Sequence, residues 1–490
     1  MREVARGVGF LLHIPAVMAL LSMPVAFFAG EHWGLTGLGL TAALALVIGQ
    51  GLRLLGRGAQ TFHRYQSMQI AGISWLLIAI LGAIPFFVSA LLAPAASSAS
   101  AAMDVFQAPV FALFESTSGF TSTGLTVVAR ASELPAHIQW WRSLSEWIGG
   151  IGVILLLVAI LPAERGALNL YFSEAREEKI LPTVKSTVRA IWLIYLGFTL
   201  FGIGLLWLAG EPLWRAVNHG MTAIATGGFT ITDDSLMSAS ASVQLAYMPL
   251  MLIGAISFLV HYRLLVERPG WRVIGQSTEL RLLFWIALGG VLLLWAERWF
   301  SIGETGGVAT AFVWLSALTT AGFASSDLAL WMDGPLLLVL VAVLMGGMAG
   351  STSGGVKLLR VGLLLKDLQG QLRGFRASRH ELVMVHYEGA RVPPQHIAEL
   401  GRIAARLVGL FMLLWLLGVF VMLHLLPDDV RLAHVFFDTA SALFNSGLST
   451  GIAGPAMNTG AAVVLSVLML LGRLEIFPLL VLAGWAFGRR

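Results

Sequence analysis

The chain has 490 residues, of which 57% are hydrophobic and only 12% are charged. A soluble globular protein carries about 25% charged residues, so this composition excludes a soluble enzyme with an ordinary surface and, because it is so apolar, a disordered chain. The absence of cysteine excludes disulfide scaffolds, thiolate metal sites and cysteine nucleophiles. A net charge of +4 is too small to indicate nucleic-acid binding. What remains is a polytopic membrane protein, unusually rich in glycine with 54 such residues.

Apolar runs long enough to cross a bilayer, about 20 residues each, recur along the whole chain. We predict ten transmembrane helices, near residues 8–29, 34–52, 69–92, 139–161, 188–209, 243–262, 281–298, 335–361, 403–426 and 461–486. The first run is longer than the apolar region of a signal peptide, about 7–15 residues, so we expect a first transmembrane helix there. Four other segments, near 105–118, 211–224, 307–318 and 431–443, are too short and too polar to span.

The positions of the basic residues predict the orientation, because Lys and Arg concentrate in cytoplasmic loops. If the N-terminus is cytoplasmic and the four short segments re-enter from outside, 25 of the 31 basic residues lie on the inner side. Full crossings by these segments would instead scatter the charges over both sides. We therefore expect a protein of the cytoplasmic (inner) membrane with both termini in the cytoplasm. Its outer loops are rich in acidic residues, which would attract cations, although loops are often polar for other reasons.

The four short segments form an internal repeat aligned on one glycine each. A hydroxyl residue stands six positions before each glycine, a large apolar residue four before, and Leu or Phe directly after. The aligned glycines are Gly124, Gly228, Gly322 and Gly447. Helix packing through small residues would explain the glycines alone, but not the shared order around them.

This repeat predicts a cation pore with pseudo-fourfold symmetry. Non-helical backbone at membrane depth persists only where it is buried in protein or lines a watery cavity. Four such segments around one axis can supply rings of carbonyls that replace an ion's hydration shell, and glycine permits the positive φ that points successive carbonyls to one side. The candidate filter residues for K⁺ are Ser122, Thr123, Gly124, Thr226, Gly227, Gly228, Thr320, Ala321, Gly322, Asn445, Ser446 and Gly447.

The expected fold is therefore an all-α polytopic membrane protein of four helix–pore loop–helix units around a central pore. Two extra transmembrane helices precede them. The predicted boundaries are 1–65 for the N-terminal extension, 66–187 for the first repeat, 188–275 for the second, 276–398 for the third with a gating loop and cytoplasmic linker, and 399–490 for the fourth.

The motifs resemble those of the Trk/Ktr/HKT superfamily of potassium transporters, most closely the TrkH-type membrane subunit. They are Ser-Thr-Gly-Leu at 122–125, Thr-Gly-Gly-Phe at 226–229, Thr-Ala-Gly-Phe at 320–323, Asn-Ser-Gly-Leu at 445–448, and the runs 146–152, 350–357 and 472–477. Glycine at all four filter positions implies K⁺ as the transported ion. Glu146 stands where the family pattern has glutamine; we expect this carboxylate to be protonated, paired or near water, with Arg142, one turn earlier, as its partner.

The resemblance also implies partners. Members of the family are homodimers in which each protomer holds its own pore. They dock a cytoplasmic ring of nucleotide-binding regulatory subunits of the TrkA type. The polar segments 162–187, 263–280 and 366–400 are the candidate docking face. No organic cofactor is expected, because the chain has neither a Walker A motif nor a dinucleotide-binding glycine motif after a strand.

Two features predict a gate below the filter. The run 335–361 is interrupted by a glycine-rich stretch, in which each interior glycine costs a helix about 1 kcal/mol relative to alanine. We predict a flexible gating loop there, with a close helix crossing through small residues as the alternative. Arg473 lies within the last span, where it would oppose the passage of cations, while Lys357 is expected to extend towards the cytoplasmic interface. The candidate gate residues are Gly346, Gly347, Gly350, Ser351, Thr352, Gly354, Gly355 and Arg473.

Two other functions are compatible with parts of the pattern. The first is a Na⁺-permeable or Na⁺-coupled cation transporter of the same fold, against which the four filter glycines argue. The second is a membrane enzyme or conventional solute carrier, which would place acids or nucleophiles on broken helices at the midplane. The broken segments here enter from one face in one glycine register, so we expect a transporter and not an enzyme.

Overall fold

The computed structural model describes residues 1–58, 63–94, 98–152, 184–267, 270–376, 384–387 and 390–486. Over these ranges the chain is almost entirely helical, which confirms the predicted all-α class. The helices are α1 (Arg2–Leu11), α2 (His13–Phe28), α3 (Gly34–Leu55), α4 (Arg64–Leu92), α5 (Ser98–Met103), α6 (Pro109–Phe120), α7 (Ala136–Ile151), α8 (Val184–Leu208), α9 (Leu213–Ile224), α10 (Ala241–Ala255), α11 (Phe258–Val266), α12 (Arg272–Gln276), α13 (Thr278–Ile302), α14 (Gly307–Leu318), α15 (Asp333–Met345), α16 (Leu358–Arg376), α17 (Pro394–Leu425), α18 (Leu432–Leu443), α19 (Thr459–Arg473) and α20 (Phe477–Ala486).

In the described part of the segment between α16 and α17 lies a short antiparallel hairpin. Its strands are β1 (Val385–Tyr387) and β2 (Ala390–Val392), with Val385 paired to Val392. The hairpin lies in the polar segment that the sequence places on the cytoplasmic side, and α17 begins directly after it with a proline in its first turn, where the missing amide donor costs nothing.

Among the residues that the structure describes, six helices are long and apolar enough to cross a membrane, and eight spans result if each of two bent pairs is taken as one. The N-terminal helices α1 and α2 together form the first of them, and α3 and α4 follow. These helices pack against each other, and α2 and α4 also pack against α7. The first two spans, α1 with α2 and then α3, therefore flank the first repeat. The predicted span 139–161 corresponds to α7 as far as Ile151; residues 153–161 lie outside the described part of the chain.

Two predicted spans are bent sharply, and their prediction as single helices was wrong. Helices α10 and α11 meet at 100° and helices α19 and α20 at 112°. At the first bend the carbonyls of Gly254 and Ala255 are released from the helix and accept hydrogen bonds from the backbone amides of Thr352 (3.2 Å) and Met348 (2.9 Å). Hydrogen bonds to a distant segment therefore replace those that a continuous helix would have made. Hydropathy, a local property, does not predict them.

Four helices of 12 residues each form the centre of the molecule: α6, α9, α14 and α18. Each ends in the same way, with a backbone amide five residues past a hydroxyl residue donating back to that residue's carbonyl at 2.8–2.9 Å. Each is followed by an extended loop and a return helix. We call these units 1 (α6 and α7), 2 (α9 and α10), 3 (α14 and α15) and 4 (α18 and α19).

Burial follows this architecture. The C-terminal halves of the four short helices are buried, whereas the long helix α13 exposes most of its apolar surface. Large apolar side chains such as Leu208 and Phe300 face outward. An apolar outer surface around a polar, glycine-rich centre is the arrangement that a lipid-embedded protein requires.

Candidate ion-conduction site

The four aligned glycines lie side by side in a closed ring. A Cβ atom added at each glycine would lie close to a backbone carbonyl oxygen of the next unit, that of the residue directly before its aligned glycine. These distances are 2.1 Å from Gly124 to the Gly227 oxygen, 2.9 Å from Gly228 to that of Ala321, 2.6 Å from Gly322 to that of Ser446 and 2.1 Å from Gly447 to that of Thr123. Because unit 4 returns to unit 1, the backbones of all four units surround one axis.

The four segments also share one backbone conformation. The residue two positions before each glycine has a left-handed φ of 48–53°, and each glycine has a φ of 80–92°. The left-handed residues are Ser122, Thr226, Thr320 and Asn445. A non-glycine residue keeps this conformation only where the surrounding structure enforces it, and such strain recurring four times indicates a functional segment.

Side chains on the short helices hold the loops from behind. Nine residues before the aligned glycine stand Glu115, His219 and Asp438, all buried. Each accepts a hydrogen bond from the backbone amide three residues after that glycine: Val127 (3.1 Å), Ile231 (3.0 Å) and Thr450 (2.7 Å). Unit 3 has an apolar Val313 at this position, and the hydroxyl of Ser325 instead donates to the Ala309 carbonyl (2.7 Å).

The sequence interpretation missed these three anchors. The signal was available, since an acid or histidine recurs at one fixed offset from the glycine in three of four copies. It could not be read as an anchor because Glu, His and Asp differ in chemistry and share only the ability to accept a hydrogen bond.

The expected pair of Arg142 with Glu146 is not formed. The Arg142 Nε donates to Glu115 Oε1 at 2.8 Å, and its Nη1 donates to the Thr230 carbonyl at 2.8 Å. Its guanidinium also lies 4.1 Å from the centre of the Phe229 ring. A fully buried carboxylate on α6 requires a counter-charge, so Arg142 turns to Glu115 and away from the residue on its own helix.

The glycine-rich interruption of the span 335–361 lies directly below the ring. The Thr352 hydroxyl donates to the Ile224 carbonyl of unit 2 at 3.0 Å. The amide of Gly354 donates to the Thr320 hydroxyl of unit 3 (2.6 Å), and the amide of Gly355 to the Phe444 carbonyl of unit 4 (2.9 Å). The loop thus contacts residues just before the aligned glycines of three units.

The remaining loop residues shape it rather than contact the ring. Gly346 lies against Gly354 and Gly355, so close that a Cβ at Gly346 would be 2.3 Å from the Gly354 oxygen, and Gly347 lies against Ser353. The Gly350 carbonyl accepts from the amide of Phe258 at 3.1 Å. The Ser351 and Ser353 hydroxyls are hydrogen-bonded at 2.8 Å.

Arg473 connects this loop to unit 1. It is the last residue of α19, at the bend, rather than the middle of a continuous helix. Its Nη1 donates to the Thr352 carbonyl at 3.3 Å, and its Nη2 donates to the carbonyls of Gly149 and, at 2.9 Å, Gly150. Its guanidinium, together with Lys357 and Asn445, lines a small cavity of about 50 Å³ under the ring.

Lys357 does not extend to the cytoplasmic interface as expected. Its ammonium donates to the Ser353 carbonyl within the loop, and its own φ is +78°. The backbone turn at Lys357 directs its side chain back to the loop. The length of the span does not predict such a turn.

Comparison with known proteins identifies the family. The profile of the family described as "TrkH: Cation transport protein" matches residues 41–288 and 304–486. The chain belongs to the TrkH family. The predicted family is thereby confirmed, and it is a family of cation transporters rather than enzymes.

Relatives and a solved structure agree with this TrkH assignment. The chain is 31% identical to the Trk system potassium uptake protein TrkH of Escherichia coli strain K12 over 100% of this chain and 99% of that protein. It is 30% identical to an uncharacterized cation transporter of Methanocaldococcus jannaschii, over 85% of this chain and 82% of the relative. The crystal structure of the potassium transporter TrkH from Vibrio parahaemolyticus matches with a TM-score of 0.81 and 26% identity, covering 100% of this chain and 99% of that chain. This TrkH-family chain is accordingly a multi-pass membrane protein.

Proposed function

We propose that this chain takes up K⁺ across the cytoplasmic membrane through a selectivity filter formed by the backbone carbonyls of the ring. One observation carries the proposal: four glycine loops of one conformation meet carbonyl to glycine around a single axis. Such rings replace the hydration shell of an ion. The potassium uptake proteins among its relatives support K⁺ as the ion.

Each residue of the ring then has a definite part. The carbonyls of Thr123, Gly227, Ala321 and Ser446 meet the glycines of the neighbouring units and form one ring of ion ligands. Because these carbonyls are backbone atoms, the identity of the side chain at the four positions differs without changing the ligand. The glycines are required because a side chain at any of them would enter the space of the neighbouring carbonyl.

The glycine-rich loop and Arg473 form the gate of this proposal. The loop hydrogen-bonds to three units and Arg473 to a fourth, so the closed state is held by contacts that a cation would have to displace. The positive charge of Arg473 adds an electrostatic barrier below the filter. The loop leads directly into α16, and Arg360 on α16 is paired with Glu475 at the bend between α19 and α20.

This connection gives a regulatory partner a place to act. A displacement of α16 would pull on the loop at one end and on the bend beside Arg473 at the other. We propose that a nucleotide-binding ring of the TrkA type docks on the cytoplasmic segments 263–280 and 366–400, and that the protein is a homodimer with one pore in each protomer. The third docking segment, 162–187, falls outside the described residues up to 183.

The test is an ion-selective flux measurement in proteoliposomes, with K⁺, Rb⁺ and Na⁺ compared with and without the regulatory partner. We expect K⁺ and Rb⁺ to pass in preference to Na⁺, and the partner to change the flux. Equal fluxes of K⁺ and Na⁺ would refute K⁺ selectivity and favour the Na⁺-permeable alternative on the same fold.

A further inference from the structure

A buried carboxylate lies directly behind the filter loop of unit 2. Glu146, on the return helix of unit 1, is fully buried, and its two oxygens lie 3.1 and 3.2 Å from the backbone nitrogen of Phe229. A Cβ added at Gly227 would lie 2.3 Å from Glu146 Oε2. The carboxylate therefore touches the loop from outside the ring, at the residues on both sides of Gly228.

The hydrogen bond from Phe229 fixes the direction of a carbonyl. The amide of Phe229 and the carbonyl of Gly228 belong to the same planar trans peptide unit, so the N–H and C=O point in opposite directions. When the N–H is held by Glu146 on the outer side of the loop, the Gly228 carbonyl faces the axis. Loss of the acceptor would free this peptide to rotate, and an unsatisfied buried amide would favour rotation.

Two of the other repeats carry a different residue at the position of Glu146. Glu146 stands three residues before Gly149. Gly149 lies against the backbone carbonyl of the residue four positions before an aligned glycine, and Gly254 and Gly472 lie against the corresponding carbonyls of units 2 and 4, so these three glycines are equivalent. Met251 and Met469 are therefore the equivalents of Glu146, and both are fully buried.

Backbone contacts support this equivalence independently. The carbonyl of Glu146 accepts from the Ser122 hydroxyl at 2.9 Å, and that of Met469 accepts from the Asn445 side-chain amide at 2.9 Å. Ser122 and Asn445 are themselves equivalent positions of the repeat. A methionine side chain fills a similar volume but is a poor acceptor.

Only one of the four equivalent amides has an acceptor in the described part of the chain. The amide of Phe229 bonds to Glu146, whereas those of Leu125, Phe323 and Leu448 make no hydrogen bond to any described residue. The same helix face also holds the Thr230–Ile231 peptide, two peptides further on, through Arg142, which donates to the Thr230 carbonyl. Two peptides of the unit 2 loop, separated by one, are thus fixed by side chains of unit 1.

We propose that Glu146 is a positioning residue for ion selectivity: as a hydrogen-bond acceptor it orients the Gly228 carbonyl toward the pore. This inference rests on the proposed function of the ring as a K⁺ filter. It differs from a packing role, which the methionines of units 2 and 4 perform at the same position. What matters is the acceptor, so an uncharged acceptor of the same shape is sufficient.

The test compares Glu146→Gln, Glu146→Met and Glu146→Leu with the wild type in K⁺ and Na⁺ flux. Glutamine retains an acceptor for the Phe229 amide, so the K⁺/Na⁺ ratio is expected to stay within about twofold of wild type. Methionine and leucine fill the space without accepting, and the ratio is expected to fall by about tenfold, the effect of leaving a buried amide unsatisfied. Met251→Leu is the matched control, a buried apolar exchange at the equivalent position of unit 2, and should leave the ratio unchanged.

Each outcome decides the inference. A wild-type ratio in Glu146→Met or Glu146→Leu would show that only packing matters and would overturn it. A loss of selectivity in Glu146→Gln would overturn it as well, and this result remains measurable if neither apolar variant folds. A wild type without K⁺ preference would instead refute the proposed function, so the two failures are distinguishable.

Discussion

Substitution of the ring glycines by alanine provides a graded test of the filter geometry. Gly447 has a φ of +83°, so alanine there costs roughly 1–2 kcal/mol for the left-handed backbone alone. The added Cβ would also lie 2.1 Å from the Thr123 oxygen. Since close-packed interiors admit no such overlap, that carbonyl would have to withdraw by about 1 Å. We expect Gly447→Ala to abolish discrimination between K⁺ and Na⁺.

The same reasoning ranks the four positions. The clash distance is 2.1 Å at Gly124 and Gly447, 2.6 Å at Gly322 and 2.9 Å at Gly228. Alanine should therefore damage selectivity most at the first two positions and least at Gly228. The assay is the K⁺/Na⁺ flux ratio of each purified variant in liposomes, with thermal unfolding measured in parallel.

Gly451 is the matched control for backbone strain. Its φ is +100°, but a Cβ there would have no atom within 4 Å. Gly451→Ala should lose a similar amount of stability, about 1–2 kcal/mol, and keep the wild-type flux ratio. If Gly447→Ala and Gly451→Ala gave the same ratio, the carbonyl contacts would not determine selectivity and the reasoning would fail.

Three further predictions concern the proposed gate, the buried ion pair and the loop between α2 and α3. Arg473→Ala removes charge-assisted hydrogen bonds worth about 1.5–3 kcal/mol each and should raise partner-free flux by about tenfold; an unchanged flux would exclude Arg473 from the gate. Glu115→Gln leaves Arg142 buried without its counter-charge and should lower the free energy of unfolding by about 3–5 kcal/mol, measured by denaturation in detergent; an unchanged unfolding midpoint would contradict this. Partial burial raises the pKa of Glu31, but hydrogen bonds from His137 and Ala136 outweigh it and hold this pKa below its ordinary value. The contribution of Glu31 to the free energy of unfolding is therefore present above the unfolded-state pKa of about 4.3 and is lost as the pH falls through the lower folded-state pKa. Glu31→Gln should accordingly make the melting temperature depend less on pH at the acid end of a thermal-unfolding series.

The patterns of charge and glycine were sufficient to predict the fold class and the family from the sequence alone. Hydropathy is a local property, so it located the long helices, and the four glycines could be aligned because each stands in a local motif of eight residues. The short length of the segments before them predicts that they do not span. These features depend on neighbours in the chain, which is why they can be predicted from the sequence alone.

Partners that are distant in the chain could not be assigned in this way. The spacing of four residues placed Arg142 and Glu146 on one helix face and suggested a pair. The packing of α7 between α6 and the loop of unit 2 instead pairs Arg142 with Glu115 and Glu146 with Phe229. Arg473, at the bend after α19, likewise has partners far away in the chain, the carbonyls of Thr352 and Gly150.

The sequence by itself determined that four glycine loops exist and that the chain belongs in a membrane, because composition and periodicity express solvent preference residue by residue. Only the tertiary structure decided which carbonyl faces which glycine and which side chains hold the loops from behind. A buried polar group takes whichever partner the packing brings within about 3 Å, and that distance is set by helices far apart in the chain.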